Sequence, residues 1–413
     1  MRSTTLLVLA LAACSDRATP LQIDRATPAY APVVGGTTIL LTGSGFAHDG
    51  AGPNRVVIGG REAPLARTID DTTIELVAPP ADHPGDVEVV VLSGDHNARA
   101  IGILRYSAPP SIASVAPADV LFSSGSTVVT LTGSGFLDED AGIVSVVVEG
   151  QLATEVVVTS DSSLTFIAPP GQALVRADIE VINDRGSASK QRGFRYTPSN
   201  RPGLLLFSTG AEFAVFYDPS DQSSVFIPSA SGGTTRFTAV VRDEQGDYWG
   251  TDRSRQFGPI DMRTQQIVNP IPVQAWFPTL TRVGGEYLGL ERNSRTFGRL
   301  DPVTAQFTSI GTAPLPCCGS YGLASDGTTL YYTARNNGVT SIASIDPLTG
   351  IAGTAVVVTG PPGLSIEEMR FFQGILYAAS RNGSLVTIDP ITGVATPIPE
   401  DIARRFTAME LFD

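Results

Sequence analysis

Lysine, histidine and cysteine are nearly missing from this 413-residue chain: Lys190 is the only lysine, and there are three His and three Cys. Three cysteines are too few for a disulfide framework. The histidines, His48, His83 and His96, sit in loops of one stretch and share no ligand spacing. The rest of the chain therefore lacks the His of a zinc centre or a serine triad. Charge is sparse and unbalanced, with 17% charged residues, 41 acidic against 28 basic, and a net charge of −13. That balance provides no basic footprint for nucleic-acid phosphates. No apolar run approaches the ~20 residues that span a bilayer. What is abundant is 42 Gly and 30 Pro, the poorest helix formers, which argues against a mainly helical chain or a coiled coil. A hydrophobic share of 42% argues against disorder. The length suggests about three domains.

The first residues address the chain. Arg2 precedes the apolar run Leu6–Ala13, which ends at Cys14. A charged start, a short apolar stretch and small residues before a cut site read as a signal peptide over residues 1–13. Leu11-Ala12-Ala13-Cys14 resembles the lipobox of bacterial lipoproteins. The resemblance implies cleavage before Cys14, lipidation of its thiol, and a tether over residues 14–20. An ordinary secretory signal with an incidental Cys is the alternative. Several acyl chains on one residue anchor stably where one would not. Ser15 then permits delivery to the bacterial outer membrane or cell surface, by resemblance to enterobacterial sorting. The lipid would be the only membrane contact.

Two internal periods organise the remainder. Leu41-Thr42-Gly43-Ser44-Gly45-Phe46 recurs as Leu131-Thr132-Gly133-Ser134-Gly135-Phe136, 90 positions on. Ala78-Pro79-Pro80 and Arg105-Tyr106-Ser107 recur in the same register, at 168–170 and 195–197. Within each unit, short β-branched segments such as Thr37–Leu41 and Val87–Val91 are separated by Gly, Pro and Asp turns. This predicts a β-sandwich. The motif set resembles the IPT/TIG family of immunoglobulin-like domains, over residues 21–108 and 109–197. The resemblance implies a spacer or recognition module without catalytic residues.

After a Pro-Ser-Asn linker at 198–203, the period changes. Asp218, Asp261, Asp301, Asp346 and Asp389 follow one another at intervals of 43, 40, 45 and 43. Each follows an apolar strand, an aromatic strand lies upstream, and a short strand comes after. Four strands per ~40–45 residues is the blade of a β-propeller. Ile-Asp-Pro-Xaa-Thr-Gly at 345–350 and 388–393 resembles bacterial propeller repeats of the NHL and gluconolactonase-like type. Leu204–Phe207 occupies a second-strand position, and the missing first strand is found at Phe406–Leu411. The expectation is an all-β chain: two immunoglobulin-like β-sandwiches, then a five-bladed β-propeller over 204–413, closed by the C-terminal strand.

Loops joining one blade to the next share a face in propellers, and ligands bind there. Here they carry Arg236, Trp276, Phe277, Cys317, Cys318, Tyr321, Glu367, Arg404 and Arg405. Aromatics with Arg and Glu suit a sugar or a peptide. Cys317-Cys318 leaves three states open: a vicinal disulfide, two free or buried thiols, or a metal ligand pair. Asp138-Glu139-Asp140 is acidic but lacks the Asp-x-Asp-x-Asp-Gly pattern of a calcium loop. No motif calls for a catalytic residue, a metal or a cofactor. The chain therefore reads as a non-catalytic binding protein for an extracellular protein or glycan. The alternative is a propeller hydrolase or lactonase acting on carbohydrate. Its inner strands offer Asp326, Glu367, Glu368 and Glu410, which do not occupy equivalent positions.

Overall fold

The computed structural model describes residues 19–47, 53–123, 125–137, 141–208, 213–230, 235–312, 321–399 and 406–412. Every regular element among them is a strand. Residues 22–107 form two sheets. One takes Gln22–Thr27, Thr38–Ser44, Thr73–Val77 and Arg67–Asp70 in spatial order. The other takes Tyr30–Pro32, His96–Ser107, Gly85–Ser93, Arg55–Ile58 and Arg61–Glu62. Residues 111–197 repeat this arrangement strand for strand, including the short parallel pairing of Asp119–Leu121 with the last long strand. Alternation explains the layers: Ile39 and Leu41 in the first unit, and Val129 and Leu131 in the second, are buried on one face.

The recurring Leu-Thr-Gly-Ser-Gly-Phe segment has a steric explanation. Phe46 and Phe136 plug their cores at 1% exposure. Each ring folds back over the glycine three residues before it. A Cβ at Gly133 would collide with the Ser111 carbonyl oxygen and lie 2.8 Å from the Phe136 ring. The second glycines, Gly45 and Gly135, have φ of 74° and 80°, where a side chain is strained. Gly133→Ala is therefore expected to destabilise its sandwich by about 2 kcal/mol, the scale of overpacking. Urea unfolding followed by circular dichroism measures this, and a change within error would refute the steric account.

The described residues of 203–412 form five antiparallel sheets built mainly of four strands each. The second to fifth are consecutive meanders. The first contains Gly203–Ser208, Phe213–Asp218 and Ser223–Pro228, and is completed by the C-terminal strand Phe406–Phe412, which pairs antiparallel with Gly203–Ser208. One edge strand of each of these sheets, its inner strand, faces the others: Phe406–Phe412, Phe237–Arg242, Thr279–Val283, Leu323–Ser325 and Ile366–Phe372. Phe406–Phe412 packs against Phe237–Arg242 and Ile366–Phe372. Thr279–Val283 lies against Phe237–Arg242 and Leu323–Ser325, and Leu323–Ser325 lies against Ile366–Phe372. Burial on both faces gives unbroken apolar runs here, as in Leu204-Leu205-Leu206-Phe207.

The periodic aspartates make turns. Asp346 Oδ1 accepts the N–H groups of Leu348 (2.8 Å) and Thr349 (2.9 Å). Asp301 and Asp389 do the same for Val303–Thr304 and Ile391–Thr392. These backbone donors hold all three carboxyls below the usual carboxylate range. Four residues after each aspartate the backbone has positive φ, at Gln222, Gln265, Ala305, Gly350 and Gly393. The turn thus survives where the Thr-Gly is lost.

Asp119–Gly125 and Pro170–Arg176 belong with Arg195–Asp413 to one compact unit. Ala173 and Leu174 share a core with Leu205, Phe207, Phe216 and Phe237. Arg195 pairs with Asp119 at 2.8 Å, and its guanidinium lies 4.7 Å from the Phe412 ring centre.

Candidate functional site

Three buried charged side chains from the inner strands, Glu368, Arg370 and Glu410, meet. Arg370 lies between Met369 and Phe371 in Ile366–Phe372. Its Nη2 donates to the carbonyl oxygens of Val240 (2.7 Å) and Leu280 (2.8 Å), and its Nη1 to that of Leu323 (3.1 Å). Nη1 also donates to Glu368 Oε1 (2.9 Å) and to the Met369 carbonyl oxygen (2.6 Å). Nε and Nη2 each lie 3.3 Å from Glu410 Oε2 on the C-terminal strand. One guanidinium thus touches the inner strand of every sheet. Its planar fork of five N–H donors permits this.

The carboxylates are bound in turn. Glu368 Oε1 accepts the Thr279 hydroxyl (2.8 Å) and the Met369 N–H (3.0 Å), and Glu410 Oε1 accepts the Leu411 N–H (2.8 Å). Glu368 is fully buried, Arg370 nearly so, and Glu410 is 7% exposed. Two carboxyls share one cation in a low dielectric. Burial pushes Glu368 up to about 7, against the pull of Arg370. Burial also opposes the charge on Arg370, but Glu410 and Glu368 outweigh it and its pKa moves up. A carboxyl near 7 has the acidity of a general acid. This one lacks the access: Oε2 of Glu368 is buried with no hydrogen-bond partner, and the other oxygens are occupied. The cluster is built to hold strands.

The residues expected on the loop face separate into three groups. Cys317, Cys318, Arg404 and Arg405 lie outside the described residues, as do Cys14 and Asp138-Glu139-Asp140. Phe277 and Tyr321 are corrected to core positions, at 1% and 6% exposure. They sit just before inner strands, where a side chain turns between two sheets. Phe277 packs edge-on against Phe307, with centroids 5.0 Å apart. Tyr321 packs among Leu288, Leu323 and Tyr332. Arg236 is exposed, Glu367 is half-buried and 3.4 Å from Arg381, and Trp276 is half-buried beneath Arg292, whose guanidinium lies 4.4 Å from the indole centre. Of the inner-strand carboxylates, Glu368 and Glu410 converge, whereas Asp326 caps a turn through the N–H groups of Thr328 and Thr329. Among the described residues, no group of three or more His, Cys, Asp or Glu could hold a metal ion. Arg370 was missed in the sequence. Its signal is a buried charge between Met369 and Phe371, two residues after Glu368, matched by the single charge Glu410 in Phe406–Phe412.

Residues 21–104 and 110–196 each match the family described as the IPT/TIG domain. The chain therefore carries two immunoglobulin-like IPT/TIG domains. No curated protein matches it. Among solved structures, an auxiliary nutrient binding protein from Bacteroides ovatus is 15% identical, covers 71% of each chain and has a TM-score of 0.34. A structure of the nidogen/laminin complex is 12% identical over 51% of this chain and 98% of that one, with a TM-score of 0.36. Glutaminyl cyclase from Myxococcus xanthus is 17% identical over 44% of this chain and 72% of its own, with a TM-score of 0.33. None is similar enough to carry a functional comparison. No described helix is long and apolar enough to cross a membrane.

Proposed function

We propose that this chain is a lipid-anchored binding protein of the bacterial outer membrane or cell surface. Cys14 carries the anchor and the IPT/TIG domains act as a spacer. Residues 204–413 form a five-bladed β-propeller, closed by the C-terminal strand, whose loops recognise an extracellular protein or glycan. The observation that carries the reading is Arg370. A side chain that reaches five inner strands at once supports their convergence on one axis. It also occupies the centre, where a glycosidase would need two solvent-accessible carboxyl groups. Glu368 and Glu410 are committed to the arginine instead. Recognition is then left to the loops.

The anchor and the activity are tested separately. Cys14→Ser is expected to move the protein almost wholly from the membrane fraction to the soluble extract, and globomycin to accumulate the unprocessed form. Membrane retention of the variant would overturn the anchor. Turnover of a chromogenic glycoside or a lactone by the mature chain would replace recognition with catalysis.

A further inference from the structure

We infer that the cleft lined by three segments, around Gln274, Asn293 and Gln306, is a binding site for a neutral glycan. The inference rests on the recognition reading and specifies its ligand. The cleft has a volume of about 700 Å³, within the ~300–1,000 Å³ of small-molecule sites. Its polar lining is Gln274, Glu291, Asn293, Ser294, Thr304 and Gln306. Side-chain amides and hydroxyls both donate and accept. Sugar hydroxyls require that pairing, because each also does both. Phe307 adds an apolar surface, fixed by its edge contact with Phe277.

Charge narrows the class. The lining contains one carboxylate and no cation. Burial alone would raise the Glu291 carboxyl. The Ser294 hydroxyl, with the backbone N–H groups of Ser294, Asn293 and Trp276, outweighs that and holds it below the usual range. An ionised, nine-tenths-buried acceptor repels phosphate, sulfate and uronate groups and accepts from a hydroxyl. The walls are also tied to each other. The backbone N–H of Trp276 donates to Glu291 Oε1 at 3.3 Å, and the backbone N–H of Arg292 donates to the Trp276 carbonyl at 3.0 Å. Little ordering is then required when a ligand enters. The sequence pointed to this loop through Trp276 and Phe277. The side chain that faces the cleft is Gln274, two residues earlier.

The experiment is calorimetric titration of the mature full-length chain with cellohexaose, laminarihexaose, maltohexaose, mannohexaose and chitohexaose, with hexagalacturonate as the anionic control. At least one neutral sugar is expected to bind and hexagalacturonate to be rejected. Gln274→Ala and Asn293→Ala should each weaken binding about tenfold, the effect of one lost hydrogen bond. Both residues are exposed, so melting temperatures should not change. Undiminished sugar binding in both variants would overturn the cleft while leaving glycan recognition standing. Binding of hexagalacturonate at equal strength, or of no neutral sugar, would overturn the ligand class. Loss of the anchor is read independently, by fractionation.

Discussion

Arg370→Met is expected to unfold the C-terminal compact unit under conditions where the wild type remains folded. The variant leaves Glu368 and Glu410 buried without a cation, and removes the donor from the carbonyls of Val240, Leu280 and Leu323. Breaking a buried ion pair by deleting one partner costs about 3–5 kcal/mol, and typical whole-domain stabilities are only about 5–15 kcal/mol. Arg370→Lys keeps the charge but replaces the planar fork with three donors on one nitrogen, which cannot serve strands on several sides. It should lose roughly half as much and provides a measurable variant if Arg370→Met is insoluble. The triple change Arg370→Met, Glu368→Leu, Glu410→Leu should recover much of the loss, because it removes the orphaned charges together. Both tryptophans, Trp249 and Trp276, lie in this unit, so their fluorescence in urea reports it alone. A midpoint for Arg370→Met within error of wild type would show that the arginine does not hold the strands.

The contrast between what the sequence reveals and what it hides follows from the same strands. The 90-residue period and the aspartate period are visible because each marks a local steric or hydrogen-bonding need, repeated with the fold. Gly43 and Gly133 make room for a ring three residues on, and Asp301, Asp346 and Asp389 each accept two N–H groups of their own turn. The pairing of Phe406–Phe412 with Gly203–Ser208 is likewise legible, because the first repeat lacks one strand and the C-terminus supplies one. Arg370 has no counterpart in the other repeats. Its partners come from residues 130, 90, 47 and 40 positions away, so no spacing announces them. Phe277 and Tyr321 fail differently. Loop membership placed them at the surface, but each lies two residues before an inner strand and is buried in the core. The acidic residues illustrate a third case, in which composition alone counted Glu368 and Glu410 as candidate acids. Only geometry shows that both face one guanidinium.

That geometry gives the unit a distinctive dependence on pH. With both carboxyls ionised the cluster carries one net negative charge in a buried site, and with Glu368 protonated it is neutral. Glu368 has its folded pKa raised from 4.5 to about 7. Between those values the folded protein holds a proton that the unfolded chain releases, so stability falls as pH rises through this window. Over that span the loss is about 3 kcal/mol, complete above pH 7 and absent below 4.5. Asp301, Asp346 and Asp389 act in the opposite sense and below this window, because their pKa values are lowered. The three histidines fall at positions 48, 83 and 96, outside this unit, so none titrates within it. Glu368→Gln keeps an acceptor for Thr279 and Met369 and has no proton to lose. Its tryptophan-monitored stability should be flat from pH 5 to 7 and exceed wild type at pH 8. The gain will be smaller than the full amount, because the new NH₂ group occupies the position of Oε2, which has no partner. A slope unchanged by the substitution would assign the pH dependence to other groups and remove Glu368 as its source.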